Sequence, residues 1–566
     1  MRISPITIQV SILITFTIFV KKLLSEVVKA VRIVFSILCV LFFLHIGTRP
    51  LANPDEGRYA GIGLEMVRSG DWIVPHLNGL IYFEKPPLGY WSIALGEKIF
   101  GANLFGTRFF NALFSLLTCL VLYRFCKRFL SQKVGLWAAF IYGTCGLPFG
   151  MSQMLTLDNG LTFFVTTTLL LFVSGFLEEN AEKSRKYFLW AYVFMALSVL
   201  TKGLIGIAFP GIIGLPWLIF TGHIKKLNKA YLFRGLLLFF AIAAPWHFLV
   251  QQRYDCFFHF YFWHEHFERY LTTVHNRAKP FYFLLNAFLL GLLPWLFFLP
   301  RALRVAVKEN KEKQTKQILG FSGLWSTLIL LFFIKSNSQL IPYILPAIPG
   351  TAILLAYGIS KMDLSKIRIE CCLWGIAYII AALVLPYILA KKALVPVPTA
   401  LMVLAQGIII FGSVVALIYV RRHAQKSFKA LLLTTLLVYL VLPVYLPYCQ
   451  RHCGHTTCAY LKEKNNEPFK IFCIQGYFDD FPFYLNQTVG VVDFSPEEHT
   501  LGLQTEPCDR YVSTTKFQGH WQEPEACYAV VTRGNENYFK QQMQGQSVHL
   551  LHQDAFFTLY GNATAK

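Results

Sequence analysis

A chain of 566 residues that is 55% hydrophobic, 16% aromatic and only 15% charged, with mean hydropathy +0.48, does not read as a soluble protein; soluble domains carry about a quarter charged residues. Its formal net charge of +21 does not point to nucleic acid. The lysines and arginines gather in short loops between apolar runs, the pattern of the positive-inside rule, and anionic membrane lipids are the partners this charge implies.

The first residues, 1–30, form an amino-terminal extension with an apolar segment at 5–20 followed by Lys21 and Lys22: an extra short span, a signal-like segment or part of an overlong start. Apolar runs of spanning length then follow at 31–47, 107–124, 135–152, 157–177, 187–200, 203–221, 233–251, 280–300, 318–335, 339–359, 370–390, 400–420 and 430–446, about thirteen transmembrane helices in all. With a cytoplasmic start, alternate loops are basic: Arg124 to Lys133, Lys183 to Lys186, Lys225 to Lys229, Arg301 to Lys316, Lys361 to Arg368 and Arg421 to Lys429. An odd count leaves the carboxyl terminus outside. Residues 31–446 are therefore expected to form one membrane domain that includes an outside loop at 48–106, too long for a bare connection. Within that loop, Asp55 to Arg68 mixes apolar and charged residues in a way that suits a helix lying in the interface. A second outside loop, 252–279, is crowded with aromatic residues and histidines, the composition of a headgroup belt.

From about Pro447 the character changes. Residues 447–566 contain no spanning run, and short β-like pieces at 470–474, 491–494 and 529–532 suggest a small extracytoplasmic α/β domain. Cys449, Cys453, Cys458, Cys473, Cys508 and Cys527 lie here, an even set that favours disulfides in an oxidising compartment. His452, Cys453, His455 and Cys458 are zinc-ligand types at a spacing that matches no standard finger.

Ionisable residues at the ends of spans are costly unless they serve a purpose. Asp55, Glu56 and Arg58 follow the first span, with Glu84 and Lys85 further along the same loop. Asp158 opens the fourth span, Lys202 sits at the turn after the fifth, Arg269 lies in the aromatic loop, and Tyr343 begins the tenth. The topology places all of them at one membrane face, which is what a single active site requires. Each has a plainer role open to it: Asp55 and Asp158 as helix caps, Arg58, Lys85, Lys202 and Arg269 as snorkelling anchors, Tyr343 as part of the aromatic belt.

The blocks Asp55-Glu-Gly-Arg-Tyr59, Tyr82-Phe-Glu-Lys-Pro-Pro87-Leu, Thr156-Leu-Asp158, Thr201-Lys-Gly203 and Pro342-Tyr-Ile-Leu-Pro346, in this order and spacing, resemble the C-type membrane glycosyltransferases. Among these, they are similar to the bacterial 4-amino-4-deoxy-L-arabinose lipid A transferases and the protein O-mannosyltransferases. The resemblance implies a C-type glycosyltransferase fold with thirteen spans and a periplasmic α/β domain, in a bacterial inner membrane with the active site on the periplasmic side. It makes Asp55 the principal catalytic carboxylate and Asp158 a second acidic site residue. Lys85, Arg269 and Tyr343 become the cradle of a lipid phosphate, with Arg58 and Lys202 nearby, and Glu56, Tyr59, Tyr82 and Glu84 complete the substrate side. In this chain Gln339 stands in a run where such relatives often carry lysine.

The implied reaction moves a sugar from a polyprenyl-phosphate donor to an acceptor, with aminoarabinose from undecaprenyl phosphate to lipid A as the leading reading. Protein O-glycosylation or another glycolipid acceptor is the alternative. No cofactor is required, and a divalent metal held by Glu84, His264 and His266 is left open. A lipid-linked-sugar transporter or flippase is the competing class. It would place its ionisable residues near the midplane and repeat its halves, whereas here the charges cluster at one face.

Overall fold

The computed structural model describes residues 26–268, 279–308, 312–392, 397–449, 453–465, 469–506 and 508–565. The chain divides into two compact units. One comprises residues up to Gly47, Arg108–Tyr387 and Pro398–Pro443; the other comprises Thr48–Thr107, Ile388–Val397 and Val444–Lys566. The loop 48–106, expected within the membrane domain, packs with the carboxyl-terminal residues from Val444 on.

The first unit is helical. Among the described residues, eight helices are long and apolar enough to cross a membrane, and two bent pairs, Gln132–Thr144 with Gly146–Ser152 and Tyr282–Gly291 with Trp295–Lys308, raise the number to ten. The chain is a multi-pass membrane protein. Helices also stand at the remaining expected positions, Glu26–Phe43, Ala181–Lys202 and Ile205–Thr221, but length and composition do not make them spans. Ala181–Lys202 opens on Glu182, Lys183, Arg185 and Lys186, and Ile205–Thr221 has only 17 residues. The expected thirteen is thus not reached on these criteria.

The spans differ in how much of their surface faces protein. Ile341–Lys361 is 94% buried and Asp158–Leu177 83%, whereas Arg368–Ile388 and Thr399–Val420 are each 22% buried. The first two form the unit's interior. The last two turn most of their apolar surface outward, as lipid-facing helices do.

The second unit is built on a six-stranded sheet. In its loop segment, β1 (His76–Leu77) and β2 (Leu80–Ile81) form a hairpin across Asn78-Gly79, whose φ values of 53° and 73° are those of a tight Asn-Gly turn. The sheet proper comprises β3 (Lys470–Ile474), β4 (Gly490–Val492), β5 (Tyr511–Val512), β6 (Cys527–Thr532), β7 (His549–Gln553) and β8 (Phe557–Gly561), in spatial order β5-β4-β3-β6-β8-β7. Strands β5, β4, β3 and β6 run parallel, and β8 and β7 are antiparallel additions. Side chains alternate across the pleat: Ile471, Cys473, Tyr528 and Val530 enter one core layer, and Phe472, Ile474, Ala529 and Val531 the other. The three β pieces expected from the sequence correspond to β3, β4 and β6.

Two expectations for this unit change. The helix Asp55–Ser69 is not an interfacial helix with one wet face, because Glu56, Gly57, Arg58, Ala60, Gly61, Ile62, Gly63, Leu64 and Met66 are all buried. Its small residues let neighbouring elements approach on several sides. Cys453, Cys458, Cys473, Cys508 and Cys527 are free thiols, so the expected disulfides do not form among the described residues; the side chain of Cys449 lies outside them. Cys473 and Cys527 fill opposite core layers and so cannot meet, and each behaves as a small apolar side chain.

Candidate active site

The residues singled out in the sequence fall into two clusters, one in each unit. In the membrane unit, the helices Asp158–Leu177 and Ala181–Lys202 pack as an antiparallel pair, so the start of one lies beside the end of the other. Asp158 is the first residue of its helix and Lys202 the last of its own. Each charge therefore sits at the helix end whose dipole favours it. Gly203, at φ 79°, ends the second helix in a conformation that side chains avoid. The Lys202 ammonium lies 2.5 Å from the Asp158 carboxylate and 4.6 Å from the centre of the Tyr343 ring, making one ion pair capped by a cation–π contact. Both charged side chains are about nine-tenths buried. Lys202 thus does not extend outward as a snorkelling anchor would.

Tyr343 comes from the 3-10 turn Ile341–Ala347 and also packs on Phe333. Gln339, just before this turn, is buried and donates to the carbonyls of Ile334 and Ser336, so it braces the backbone that presents Tyr343. Arg269 lies outside the described residues.

The second cluster surrounds the start of the helix Asp55–Ser69. Glu56 is buried, and both its oxygens are engaged, one by the Arg49 guanidinium at 2.6 Å and the other by the Ala52 amide at 2.7 Å. Arg58 is equally enclosed. It pairs with Glu498 at 3.0 Å and Asp479 at 3.6 Å, and reaches the Tyr82 hydroxyl at 3.5 Å. Burial works against its charge, but Tyr82, Asp479, Glu84 and Glu498 together push its pKa up. Tyr82 and Tyr59 both pack edgewise or tilted on Tyr90. Lys85 is half-buried and donates to the Glu84 carbonyl at 2.6 Å.

Asp55 differs from all of these. It is exposed in the first helical turn, and no hydrogen bond or ion pair engages its carboxylate among the described residues. What is held is its surroundings. Two residues before it, Asn53 donates to Asp480 at 2.6 Å; two residues after it, Gly57 leaves no room for a Cβ, which would fall 2.6 Å from the Asp480 nitrogen. Asp480 also accepts the Gly454 amide at 2.8 Å.

Asp479, Asp480, Glu498 and Arg49 were not picked out from the sequence. The first two follow β3, beside which the chain reverses its strand order: β4 and β5 extend to one side of β3, and β6 returns to the other. The carboxyl ends of parallel strands at such a reversal are where α/β sheets place functional groups. The acidic pair after Gly476-Tyr-Phe was a readable signal for this once the strand was recognised. The Asn78-Gly79 turn was another. Asn78 exchanges two hydrogen bonds with the Val489 backbone, at 3.0 and 2.8 Å, fastening the loop segment to the sheet.

Burial pushes the Asp479 carboxyl up to about 7, against the pull of Arg58 and with the help of Glu498, Asp480 and Asp55. Burial likewise raises Asp480 to about 7, partly offset by the donors Asn53 and Gly454. His499 is lowered to about 3 by burial and by Arg58 and Arg510; its Nδ1 meets the Tyr511 hydroxyl. No group of three or more metal-ligating side chains occurs among the described residues. The His266 side chain, one of the three candidate metal ligands, lies outside them.

Comparison with known proteins agrees with the architecture. Residues 84–248 match a family described as dolichyl-phosphate-mannose-protein mannosyltransferase, and residues 457–559 match the aminoarabinose transferase C-terminal domain. The undecaprenyl phosphate-alpha-4-amino-4-deoxy-L-arabinose arabinosyl transferase of Erwinia tasmaniensis is 33% identical over 375 residues, 65% of this chain and 66% of that protein. The corresponding transferase 2 of Pseudomonas fluorescens Pf0-1 is 32% identical over 346 residues, 60% of this chain and 61% of its relative. The matched stretch thus spans less than two thirds of the length of either. In structure, the chain superposes on ArnT from Cupriavidus metallidurans bound to undecaprenyl phosphate with a TM-score of 0.84, at 24% identity, covering 95% of this chain and 99% of the other. The apo oligosaccharyltransferase of Archaeoglobus fulgidus follows with 0.52 at 13% identity, covering 95% and 74%.

Proposed function

We infer that this chain, which has the C-type membrane glycosyltransferase fold and resembles the aminoarabinose transferases in both its units, transfers 4-amino-4-deoxy-L-arabinose from undecaprenyl phosphate to a lipid A phosphate. The reaction takes place at the periplasmic face of the bacterial inner membrane. Similarity to relatives bearing that activity in their names supports the reading, and so does the second match, to a domain described by that sugar's transfer. In the structure the observation that carries it is the exposed, unengaged Asp55 on a rigidly held turn. A carboxylate kept free while every charged neighbour in its turn is paired is suited to meet a substrate.

The chemistry follows from the charges. The bond between the sugar's C1 and the carrier phosphate oxygen breaks, and C1 bonds to an oxygen of the acceptor phosphate. The departing polyprenyl phosphate is already a stable anion, so no general acid is needed, only cations and hydroxyls to receive charge. Lys85, Arg269 and Tyr343 serve that role, with Lys202 oriented by Asp158 beneath the Tyr343 ring. The acceptor phosphate arrives as an anionic nucleophile and needs no base. Asp55 stabilises the positive charge that develops on the sugar ring and orients the cationic amine. Asp158 supplies the second carboxylate. Glu56, Arg58, Tyr59, Tyr82 and Glu84 shape the turn that carries Asp55 and the substrate side of Lys85.

The amino-terminal match to a protein mannosyltransferase family favours one second reading, a protein hydroxyl as acceptor. In that case Asp55 must act as a general base. Mass spectrometry of lipid A from cells with and without the gene separates the two. Loss of an aminopentose on deletion is expected; unchanged lipid A, with a glycan missing from periplasmic proteins, favours the second reading.

A further inference from the structure

The membrane unit contains a second concentration of charge unrelated to the clusters above. Where the helix Ile348–Lys361 ends and Arg368–Lys392 begins, and where Thr399–Val420 ends and Ala424–Val441 begins, the two connections face each other across a cavity of about 690 Å³. Lys366, Arg368, Arg422 and Lys426 line it with His423 and three uncharged residues, and no carboxylate contributes to its wall. Three other basic positions in this unit do pair with acids: Arg128 with Glu178, Lys186 with Glu182 and Arg301 with Glu370. Of the four cations here, only Lys366 has an acidic partner among the described residues, Asp363 at 3.7 Å and well exposed. Lys426 lies instead over the Tyr419 ring. Like charges gathered in one concavity repel unless an anion joins them.

The surface below the cavity identifies the anion's source. Arg368–Ile388 and Thr399–Val420 are the least buried spans, and their exposed residues form stripes that run up to Arg368 on one helix and to Arg421, the neighbour of Arg422, on the other. Ile369, Leu373, Ile376, Ile380 and Leu383 recur at helical spacing away from Arg368, and Ile418, Val414 and Phe411 recede in the same way from Arg421. A free phosphate uses only the cations; a phospholipid uses the cations and the stripes together. We propose that this cavity is a binding site for the phosphate headgroup of an anionic phospholipid, with its acyl chains along the two exposed helix faces. None of the cavity's lining residues belongs to either cluster described above.

The purified full chain in an uncharged detergent provides the test, with bound lipid read by native mass spectrometry during titration with dioleoylphosphatidylglycerol, dioleoylphosphatidylcholine or inorganic phosphate. Phosphatidylglycerol is expected to bind tighter than phosphatidylcholine by at least about tenfold, and R368Q/R422Q/K426Q is expected to lose most of that preference. R422Q alone, read if the triple variant fails to fold, is expected to weaken phosphatidylglycerol about fivefold. R422K keeps the charge and should stay near wild type. Unchanged binding in the glutamine variants, equal binding of phosphatidylcholine, or displacement of the lipid by millimolar phosphate overturns the proposal.

Discussion

The two charged clusters solve the problem of placing ions in an apolar chain in opposite ways. In the membrane unit one acid meets one base, Asp158 and Lys202, and the pair closes on itself beneath Tyr343. In the other unit Arg58 is surrounded by an excess of acids, Asp479 and Glu498 in contact and Glu84 nearby. That excess is tolerated because burial leaves Asp479 and Asp480 protonated part of the time, with pKa values of about 7. The contrast teaches that a one-to-one pair leaves no charge to compensate, whereas a buried excess of acids must respond to pH. Asp55 has no such partner among the described residues.

The largest expected effect separates Asp55 from its paired neighbours. Asp55→Asn should lower transfer, assayed in membranes with a polyprenyl-linked sugar donor, by about 100-fold or more. Its amount and melting temperature should remain those of wild type, because the side chain holds nothing in place. Transfer at the wild-type rate would remove Asp55 from the catalytic role.

Breaking the balanced pair acts on stability first. Lys202→Ala leaves the buried Asp158 carboxylate alone, at a cost of about 3–5 kcal/mol. It should lower the yield of folded chain on size-exclusion chromatography. Asp158→Asn combined with Lys202→Ala should recover much of the loss, since no uncompensated charge then remains. A double variant no better than Lys202→Ala would show that the two side chains do not act as a pair.

The unbalanced network has the most gradual signature. An unfolded aspartate titrates near about 3.9, whereas Asp479 and Asp480 in the fold titrate near about 7. Between those values the folded chain binds more protons, so these two groups make stability fall as pH rises through that window. Melting followed from pH about 5 to 8 should show this decline, and Asp479→Asn and Asp480→Asn should each flatten it. A decline of the same size in both variants would assign the dependence to other groups.

Much of this architecture was legible because short-range chemistry is local in sequence. Apolar runs, a change of character near 447 and short β-like pieces at 470–474 and 529–532 each announce an element without reference to anything distant. Asp158 and Lys202 were legible for a similar reason: each marks the end of a helix at which its charge is favourable. The Asp55 helix was misjudged as interfacial because charged residues in its pattern imply a wet face. In the fold Glu56 and Arg58 are buried by partners from elsewhere, Arg49 and the Asp479–Glu498 region. The free tail cysteines were misjudged because number and compartment say nothing about which face of a sheet each thiol enters.

What the sequence determined by itself is the membrane character, the positions of the helices, the α/β nature of the tail and the identity of the charged residues that have no apolar excuse. These follow from transfer free energies and backbone periodicity, which act residue by residue. Only tertiary structure decided which of those charges would be consumed internally: Glu56 by Arg49, Arg58 by acids more than 400 positions away in the chain, Lys202 by Asp158, and Asp55 by none among the described residues. Pairing of charges depends on distance in space, and a strand, a hairpin and a helix start had to be folded together before that distance existed.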